Sequence, residues 1–332
     1  MKPFVLPPNV LRHFYAGGDR IAEFRGLERS GDHAPEEWIA SVSTTFGSDR
    51  RGLSRLEDGS LLRDRIRADP EAFLGPDHVA RYGPDPALLV KLLDAGQRLP
   101  VHFHPGRAFA REALGSRYGK TEAWVILRAE PGAVVHVGFA AAVEEPALRA
   151  WMRAQDSAAM LAAMHELPVA AGDTVFVPAG TPHAIGAGIL MVELQEPTDF
   201  SITLEWNGFE LTEDECHLGL GWQRALPALD RSGWDRDRVA ALRGTPDRML
   251  AGDAAPYFRA DRVSGGAALE PGYAVIVAVR GEGTLVTGEG EQAIRTGAAV
   301  LVPHAAGAGE LRGAVETIRC RPPDPAAEEG RW

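Results

Sequence analysis

Cysteine is scarce in this chain of 332 residues, which has only Cys216 and Cys320, far apart in the sequence. Two such cysteines form neither a metal motif nor a disulfide framework, so a reducing, cytoplasmic environment is expected. Long apolar runs are also missing, since none approaches the roughly 20 residues that span a bilayer. The first residues are interrupted by proline too early for a signal peptide, so we predict a soluble cytoplasmic protein.

Basic residues are fewer than acidic ones: 35 Lys and Arg stand against 46 Asp and Glu, giving a formal net charge of −11. Nucleic acids and anionic membranes are bound mainly through basic patches, so neither is an expected partner. A small anion can still bind where a few Lys and Arg side chains meet. We therefore expect a small-molecule partner, and the sequence leaves open whether the protein is a monomer or a homodimer.

Glycine and proline are abundant, with 37 and 24 residues, and they separate short runs of Val, Ile and Leu. This pattern predicts a mainly β protein with many short strands and turns. Residues 143–167 differ, because they lack glycine and place Leu and Met at helical spacing, which predicts one or two inserted helices. A helix-prone stretch is also expected at 54–82. The predicted strands are 87–93, 118–127, 133–139, 172–178, 189–195, 200–206, 273–279, 283–287 and 298–302.

A weak internal repeat links the two halves of the chain. The motifs at 281–284 and 297–303 echo the glycine turn and strand at 172–178. Such a repeat predicts two copies of one kind of β unit, which we place at residues 1–240 and 241–332. His304 is the lone histidine of the second unit, so we expect that unit to bind no metal.

Three histidines and a glutamate in the first unit form a candidate metal site. His102 and His104 are two residues apart in an extended segment, so both side chains leave the same face. Glu122 lies on the next predicted strand, and His183 follows a Gly-Thr-Pro turn. Burying unpartnered imidazoles costs several kcal/mol, so we interpret the set as ligands of one divalent ion. Zn²⁺ suits these donors best, with Fe, Co, Ni and Mn as alternatives.

The motifs around these residues resemble the type I mannose-6-phosphate isomerases, above all their short bacterial form. The similar segments follow the family's order and are Leu89–Ala95, Val101–Pro105, Gly119–Trp124 and Gly172–Ile185. The resemblance implies two cupin (jelly-roll) β-barrels, with the helical insertion in the first. It also implies one zinc ion and the interconversion of an aldose phosphate and a ketose phosphate.

The resemblance extends to the metal ligands. His104, Glu122 and His183 match the family's ligands, whereas His102 stands where the family usually has glutamine. Imidazole is at least as good a donor to zinc as an amide oxygen. The resemblance therefore implies an intact four-residue metal site.

The resemblance also implies catalytic residues. Lys120 matches the family's active-site lysine, Glu193 matches a glutamate of its pocket, and Asp199 matches the aspartate that follows. Isomerisation through an enediol needs charge stabilisation at the two sugar oxygens and a base that moves a proton between C1 and C2. We predict that the metal and Lys120 do the first and that Glu193 does the second, although Glu193 could equally orient the sugar hydroxyls.

Two residues depart from the family where the substrate's phosphate is expected. Pro100 replaces a serine and Thr203 replaces an arginine, which removes two anion contacts. Arg98, Arg107 and Arg111 are candidates to replace them from nearby loops. The predicted reaction is mannose 6-phosphate to fructose 6-phosphate. Two alternatives stay open: isomerisation of a free or differently phosphorylated sugar, and carbohydrate binding without turnover.

Overall fold

Antiparallel β-sheets form most of the regular secondary structure in the described part of this protein, as the sequence predicted. The computed structural model describes residues 1–245 and 248–327. The strands are β1 (Phe4–Val5), β2 (Val10–Leu11), β3 (Glu36–Ile39), β4 (Leu89–Ala95), β5 (His102–Phe103), β6 (Glu122–Ala129), β7 (Val134–Phe139), β8 (Met164–Pro168), β9 (Thr174–Val177), β10 (His183–Ile185), β11 (Ile189–Gln195), β12 (Ile202–Thr203), β13 (Arg259–Ser264), β14 (Ala268–Leu269), β15 (Ala274–Thr287), β16 (Gly290–Arg295), β17 (Ala299–Val302) and β18 (Gly309–Arg321). The helices are α1 (Asp19–Arg25), α2 (Leu62–Ala68), α3 (Pro70–Leu74), α4 (Pro76–Tyr82), α5 (Arg107–Leu114), α6 (Glu145–Ala154), α7 (Ser157–Ala162), α8 (Trp222–Ala225) and α9 (Arg236–Ala240).

The strands between β2 and β12 make two sheets. One has the order β2-β3-β4-β11-β6-β9, and the other has the order β12-β5-β10-β7-β8. Every residue of β4 and β11 is buried. Near-continuous runs of Val, Ile and Leu are typical of strands that are covered on both faces. A charged residue within such a strand therefore lies in the protein interior, where it needs a partner or a function.

The third sheet consists mainly of C-terminal strands, in the order β1-β17-β15-β18-β13, with β14 and β16 at its side. Its first strand comes from the N-terminus, because Phe4 pairs with Leu301 and Val5 with Val300. One apolar cluster joins this sheet to the six-stranded one and includes Phe176, Phe258 and Ile318. The boundary at residue 240 stays a prediction, and residues 246–247 and 328–332 of the second predicted unit lie outside the described residues.

Helices occur in both stretches where the sequence predicted them, with two differences, and others, such as α1 and α5, form where none was predicted. The insertion contains α6 and α7, but its end forms β8, which pairs with β7. Pairing between strands thus overrides the helical spacing of the last Leu and Met residues. In the helix-prone stretch at 54–82, Pro70 is the first residue of a helix. It opens α3, and the Asp69 side chain caps that helix by accepting from the Ala72 N–H.

Three strand predictions were wrong in extent. The strands predicted at 273–279 and 283–287 are one strand, β15, whose register with β18 shifts between Ala278 and Arg280. Gly281 has φ of +78° in that strand, and a side chain there would meet the Ala314 carbonyl oxygen. In the sequence alone, this glycine beside a β-bulge was therefore taken for a turn glycine. The strand predicted at 200–206 shrinks to β12. No helix in the described part of the chain is long and apolar enough to cross a membrane.

Candidate functional site

Strand pairing brings the three histidines of the predicted metal site together. In the β5–β10 pair His102 lies directly opposite His183, and Thr203 of β12 lies on the other side of His102. His104 follows β5 by one residue and is buried, as are the other two. Their ligand nitrogens lie within 4.8 Å of one another. The i, i+2 spacing of the first two histidines therefore gives the shared face that the sequence predicted.

Each of the three imidazole rings is oriented by a backbone carbonyl. Nδ1 of His102 lies 2.8 Å from the carbonyl oxygen of Pro100, and Nδ1 of His104 lies 2.8 Å from that of Phe200. Nδ1 of His183 lies 2.9 Å from the carbonyl oxygen of Thr181. A carbonyl oxygen only accepts, so each Nδ1 carries the proton and the neutral ring offers Nε2 as a lone-pair donor. Metal-binding histidines are usually held in this manner.

Glu122 completes this arrangement from the start of β6. Its carboxylate oxygens lie 3.0 Å from Nε2 of His104 and 3.4 Å from Nε2 of His183. The Trp124 indole N–H donates to the same carboxylate over 2.9 Å and fixes its direction. Lone pairs of the nitrogens thus face lone pairs of the carboxylate, an unfavourable contact unless a cation lies between them.

The donor set fits a divalent cation on two further grounds. Nε2 of His104 and Nε2 of His183 are buried, and neither has a hydrogen-bond partner among the described residues. Ligand atoms bound about 2.1 Å from a tetrahedral zinc ion lie roughly 3.4 Å apart, close to the two separations from Glu122. A bound cation would give these orphaned nitrogens the partner that buried polar atoms require.

The protonation states also suit metal binding. Burial lowers the pKa of His102 and His183 and lowers the pKa of His104 to about 3; the charge of Lys120 adds to this lowering and that of Glu122 opposes it. These imidazoles are therefore neutral at pH 7, which is the form that binds metals. Burial opposes ionisation of Glu122, but His104 and Lys120 hold the pKa of this carboxyl well below its usual range.

Both residues predicted to be catalytic line the same cavity as His102 and Glu122, a space of about 630 Å³. Nζ of Lys120 lies 3.8 Å from the Glu122 carboxylate and donates to the Ser201 hydroxyl over 3.2 Å. Glu193 lies in the middle of β11 with one buried carboxylate oxygen that lacks a hydrogen-bond partner among the described residues. Burial raises the pKa of Glu193 to about 8, with Glu122 adding to the rise and Lys91 opposing it.

A buried charged network, which the sequence did not predict, lies beside Glu193. Glu36 accepts hydrogen bonds from Tyr15 and Trp38, each over 2.7 Å, and its carboxylate lies 3.2 Å from Nζ of Lys91. Nζ of Lys91 in turn lies 3.9 Å from the Glu193 carboxylate. The signal that could have identified Lys91 is its place in the apolar run of β4, where a lysine has no solvent to reach.

The pKa values in this network make Glu36 negatively charged and Lys91 positively charged. Burial opposes ionisation of Glu36, but Lys91 and His13 hold the pKa of Glu36 far below its usual range. Burial also opposes the charge of Lys91, yet Glu193 and Glu36 raise the pKa of Lys91 above its usual value. Lys91 therefore stays positively charged, and it lies beside Glu193, whose carboxyl has a raised pKa.

The arginines predicted to replace the lost phosphate contacts lie elsewhere. Arg98 forms a double ion pair with Glu205, and Arg107 binds Glu196. These two and Arg111 are absent from the cavity wall, although Pro100 and Thr203 belong to it. Local sequence proximity misled the prediction, because buried carboxylates hold the first two guanidinium groups.

The arginines that do reach the cavity come from the N-terminal region. Arg12 and Arg51 both line it, together with Asp199. Arg12 pairs with Glu210 over 2.8 Å in an exposed contact. The Asp199 carboxylate accepts from the backbone N–H of Phe46, which ties the loop carrying Arg51 to the segment after β11. His304 lies outside this region, in a short turn packed near Gly75.

Comparison with known proteins identifies relatives of this chain, although no family model matches it. A mannose-6-phosphate isomerase of Streptococcus mutans is 28% identical over 322 residues, which cover 91% of this chain and 93% of that protein. The crystal structure of the mannose 6-phosphate isomerase of Bacillus subtilis matches with a TM-score of 0.77 at 20% identity, over 97% of this chain and 100% of that one.

A mannose 6-phosphate isomerase solved with zinc and yttrium also matches, with a TM-score of 0.73 at 14% identity, over 98% of this chain and 100% of that one. At such identities, the solved structures show a shared fold alone. The relatives together confirm the resemblance predicted from the motifs. The Streptococcus mutans relative also confirms the predicted class, because a mannose-6-phosphate isomerase is an aldose–ketose isomerase.

Proposed function

This chain is related to the mannose-6-phosphate isomerases, and we propose that it is a metal-dependent aldose–ketose isomerase that interconverts mannose 6-phosphate and fructose 6-phosphate. The observation that carries this proposal is the set of buried imidazole nitrogens that face the Glu122 carboxylate at one end of a large cavity. The similarity to the Streptococcus mutans enzyme over 91% of the chain supports the same reaction.

We further propose that the sheets form two cupin barrels, of which the first, at residues 1–240, holds the metal. The second, at 241–332, has a structural role. Two observations support this division: the histidines and Glu122 lie on strands of the first two sheets or, for His104, directly after one, and β13 to β18 belong to the third. The predicted insertion, with α6 and α7, would then belong to the first barrel.

In this proposal, His102, His104, Glu122 and His183 hold one zinc ion. When bound, the ion supplies a Lewis acid that stabilises negative charge on the sugar oxygens. Lys120 is placed to add a hydrogen bond and a positive charge at the same end of the cavity, because its ammonium group lies 3.8 Å from the Glu122 carboxylate.

Glu193 is our candidate for the base. Its carboxylate removes the proton from C2 of the aldose and returns it to C1, while a proton moves from O2 to O1, so that the atoms of the substrate are conserved. A pKa of about 8 supports this role, because a base works best when its pKa is near the working pH. Lys91 keeps the ionised form accessible in a buried position.

The phosphate is proposed to lie toward the rim, where Arg12 and Arg51 line the cavity. The Arg12–Glu210 pair is exposed, and such pairs are weak enough to be exchanged for a phosphate. The side chain of Arg51 has neither an ion pair nor a hydrogen bond within the described parts of the chain, and a guanidinium binds phosphate through paired hydrogen bonds.

The test is a substrate panel with zinc-loaded protein: mannose 6-phosphate, glucose 6-phosphate, mannose, lyxose and fructose, each with and without a chelator. We expect turnover of mannose 6-phosphate that the chelator abolishes. Turnover of free sugars alone would show that the substrate is a free sugar and not a sugar phosphate. Sugar binding without turnover of any aldose would contradict the enzyme assignment for this chain.

A further inference from the structure

One segment, residues 196–205, contacts three of the four candidate ligands or the residues directly before them. Its Phe200 carbonyl accepts from Nδ1 of His104 over 2.8 Å. Its ends carry two glutamates, Glu196 and Glu205, each 1% exposed. Both are ion-paired to an arginine, and neither lines the cavity. Buried ion pairs of this kind contribute little net stability, so stability alone does not explain why they are present.

Glu196 holds the strand start that carries Glu122. Its carboxylate accepts from the backbone N–H of Thr121 over 2.9 Å, and its own N–H donates to the Thr121 carbonyl over 3.0 Å. Both polar groups of the Thr121 backbone are thus bound to one residue. Arg107 donates to the same carboxylate over 2.6 Å and holds it in place. Thr121 lies between Lys120 and Glu122, so this contact fixes the backbone of both.

Glu205 holds the strand that carries His102 in a similar manner. Its carboxylate accepts from the Val101 N–H over 2.9 Å, and the Leu204 N–H donates to the Val101 carbonyl over 2.8 Å. Arg98 binds this carboxylate through both of its terminal nitrogens, and the Ser157 hydroxyl of α7 donates to it as well. In both places a buried carboxylate accepts from the backbone N–H of the residue that directly precedes a candidate ligand.

We propose that Glu196 and Glu205 are positioning residues of the metal centre, which hold Glu122 and His102 at the separation that one ion requires. The inference rests on the proposed metal site but on no sugar substrate. Ligand atoms must be held within a few tenths of an ångström of their places for tight binding, and partners behind the ligands typically change metal affinity by about 10–100-fold. The helical insertion takes part through Ser157, which gives it a function at the metal centre.

The test measures the dissociation constant of Zn²⁺ from the metal-free protein by competition with a chelator. The variants are Glu196→Gln and Glu205→Gln. The control is Glu37→Gln, because Glu37 is equally buried and pairs with Arg25 over 2.9 Å, but lies outside the cavity wall. We expect the dissociation constant to rise about tenfold or more in both variants and less than twofold in the control. The absorption spectrum of bound Co²⁺ should change only in the two variants.

Equal Zn²⁺ affinity in all four proteins would overturn the inference, and so would an equal loss in the control, which would indicate a general loss of stability. If Glu205→Gln does not fold, Arg98→Gln leaves the carboxylate in place, and we expect it to weaken Zn²⁺ binding severalfold. An unchanged affinity there, with Glu196→Gln also unchanged, would again refute the inference. A wild-type protein that binds no divalent metal would contradict the proposed metal site itself.

Discussion

The two ends of the cavity are built in different ways. At the metal end the four proposed ligands are buried and each is oriented by a neighbour: carbonyls orient the histidines, and Trp124 orients Glu122. At the rim, Arg12 and Arg51 are exposed and come from loops. A preorganised site stabilises charge without rearrangement, whereas exposed side chains bind a dianion at an entropic cost. Substitutions at the metal end should therefore impair chemistry, and those at the rim should impair substrate binding.

The largest effect is expected at the metal end. Glu122→Ala removes the only carboxylate among the four proposed ligands and exposes the orphaned nitrogens of His104 and His183 to one another. We expect loss of bound zinc and a fall in kcat of about 10²–10³-fold or more. Metal analysis of the dialysed protein and a coupled isomerase assay provide the measurements. Full metal content with normal turnover would remove Glu122 from the site.

Glu193→Gln should separate the base from the metal. The amide has the same shape but cannot accept the C2 proton, so kcat is expected to fall about 10²–10⁴-fold. Zinc content should stay at the wild-type value, because Glu193 is not one of the proposed ligands. Exchange of the C2 proton with solvent deuterium, followed by NMR, should fall in parallel. A variant that kept this exchange would show that Glu193 only orients the sugar hydroxyls.

At the rim the expected effect is smaller and of another kind. Arg51→Gln should raise KM for mannose 6-phosphate about tenfold, since one charge-assisted contact is lost, with kcat nearly unchanged. Arg50→Gln is the matched control, because Arg50 is exposed but is absent from the cavity wall. Equal KM values in the two variants would place the phosphate elsewhere. A fall in kcat instead of a rise in KM would contradict the division between the two ends.

The smallest expected effect is a shift in pH dependence. A base acts in its deprotonated form, so kcat/KM should rise as pH increases through the pKa of Glu193, about 8 before the charge of a bound cation lowers it. Lys91 lowers that pKa, so Lys91→Met should move the same limb toward higher pH. A pH–rate profile of both proteins measures the shift. Movement of the limb toward lower pH would mean that another group controls it.

The two ends also differ in how well the sequence predicted them. The metal end depends on spacing within short segments, such as His102 and His104 on one strand, and local spacing can be seen in a sequence. The mainly β character and the helices at 143–167 were likewise visible as patterns of spacing and composition. Glu36 and Lys91 were missed as a pair because β3 and β4 meet only through long-range strand pairing.

The rim was not predictable for the same physical reason. Arg98 and Arg107 are near the ligands in sequence, but Glu205 and Glu196 hold their guanidinium groups away from the cavity. Arg12 and Arg51 precede the ligands by many residues and reach the cavity through tertiary packing alone. The glycine at the bulge of β15 was misread for a related reason. A glycine is required there because the Ala314 carbonyl of a neighbouring strand leaves no room for a side chain.

Dependence of the reaction on the bound ion can be measured as the turnover of mannose 6-phosphate by metal-free protein before and after addition of one equivalent of Zn²⁺. We expect no measurable turnover before addition, full turnover after it, and no recovery for Glu122→Ala under the same conditions. Equal turnover with and without the metal would contradict the claim that these four side chains hold the ion on which the reaction depends.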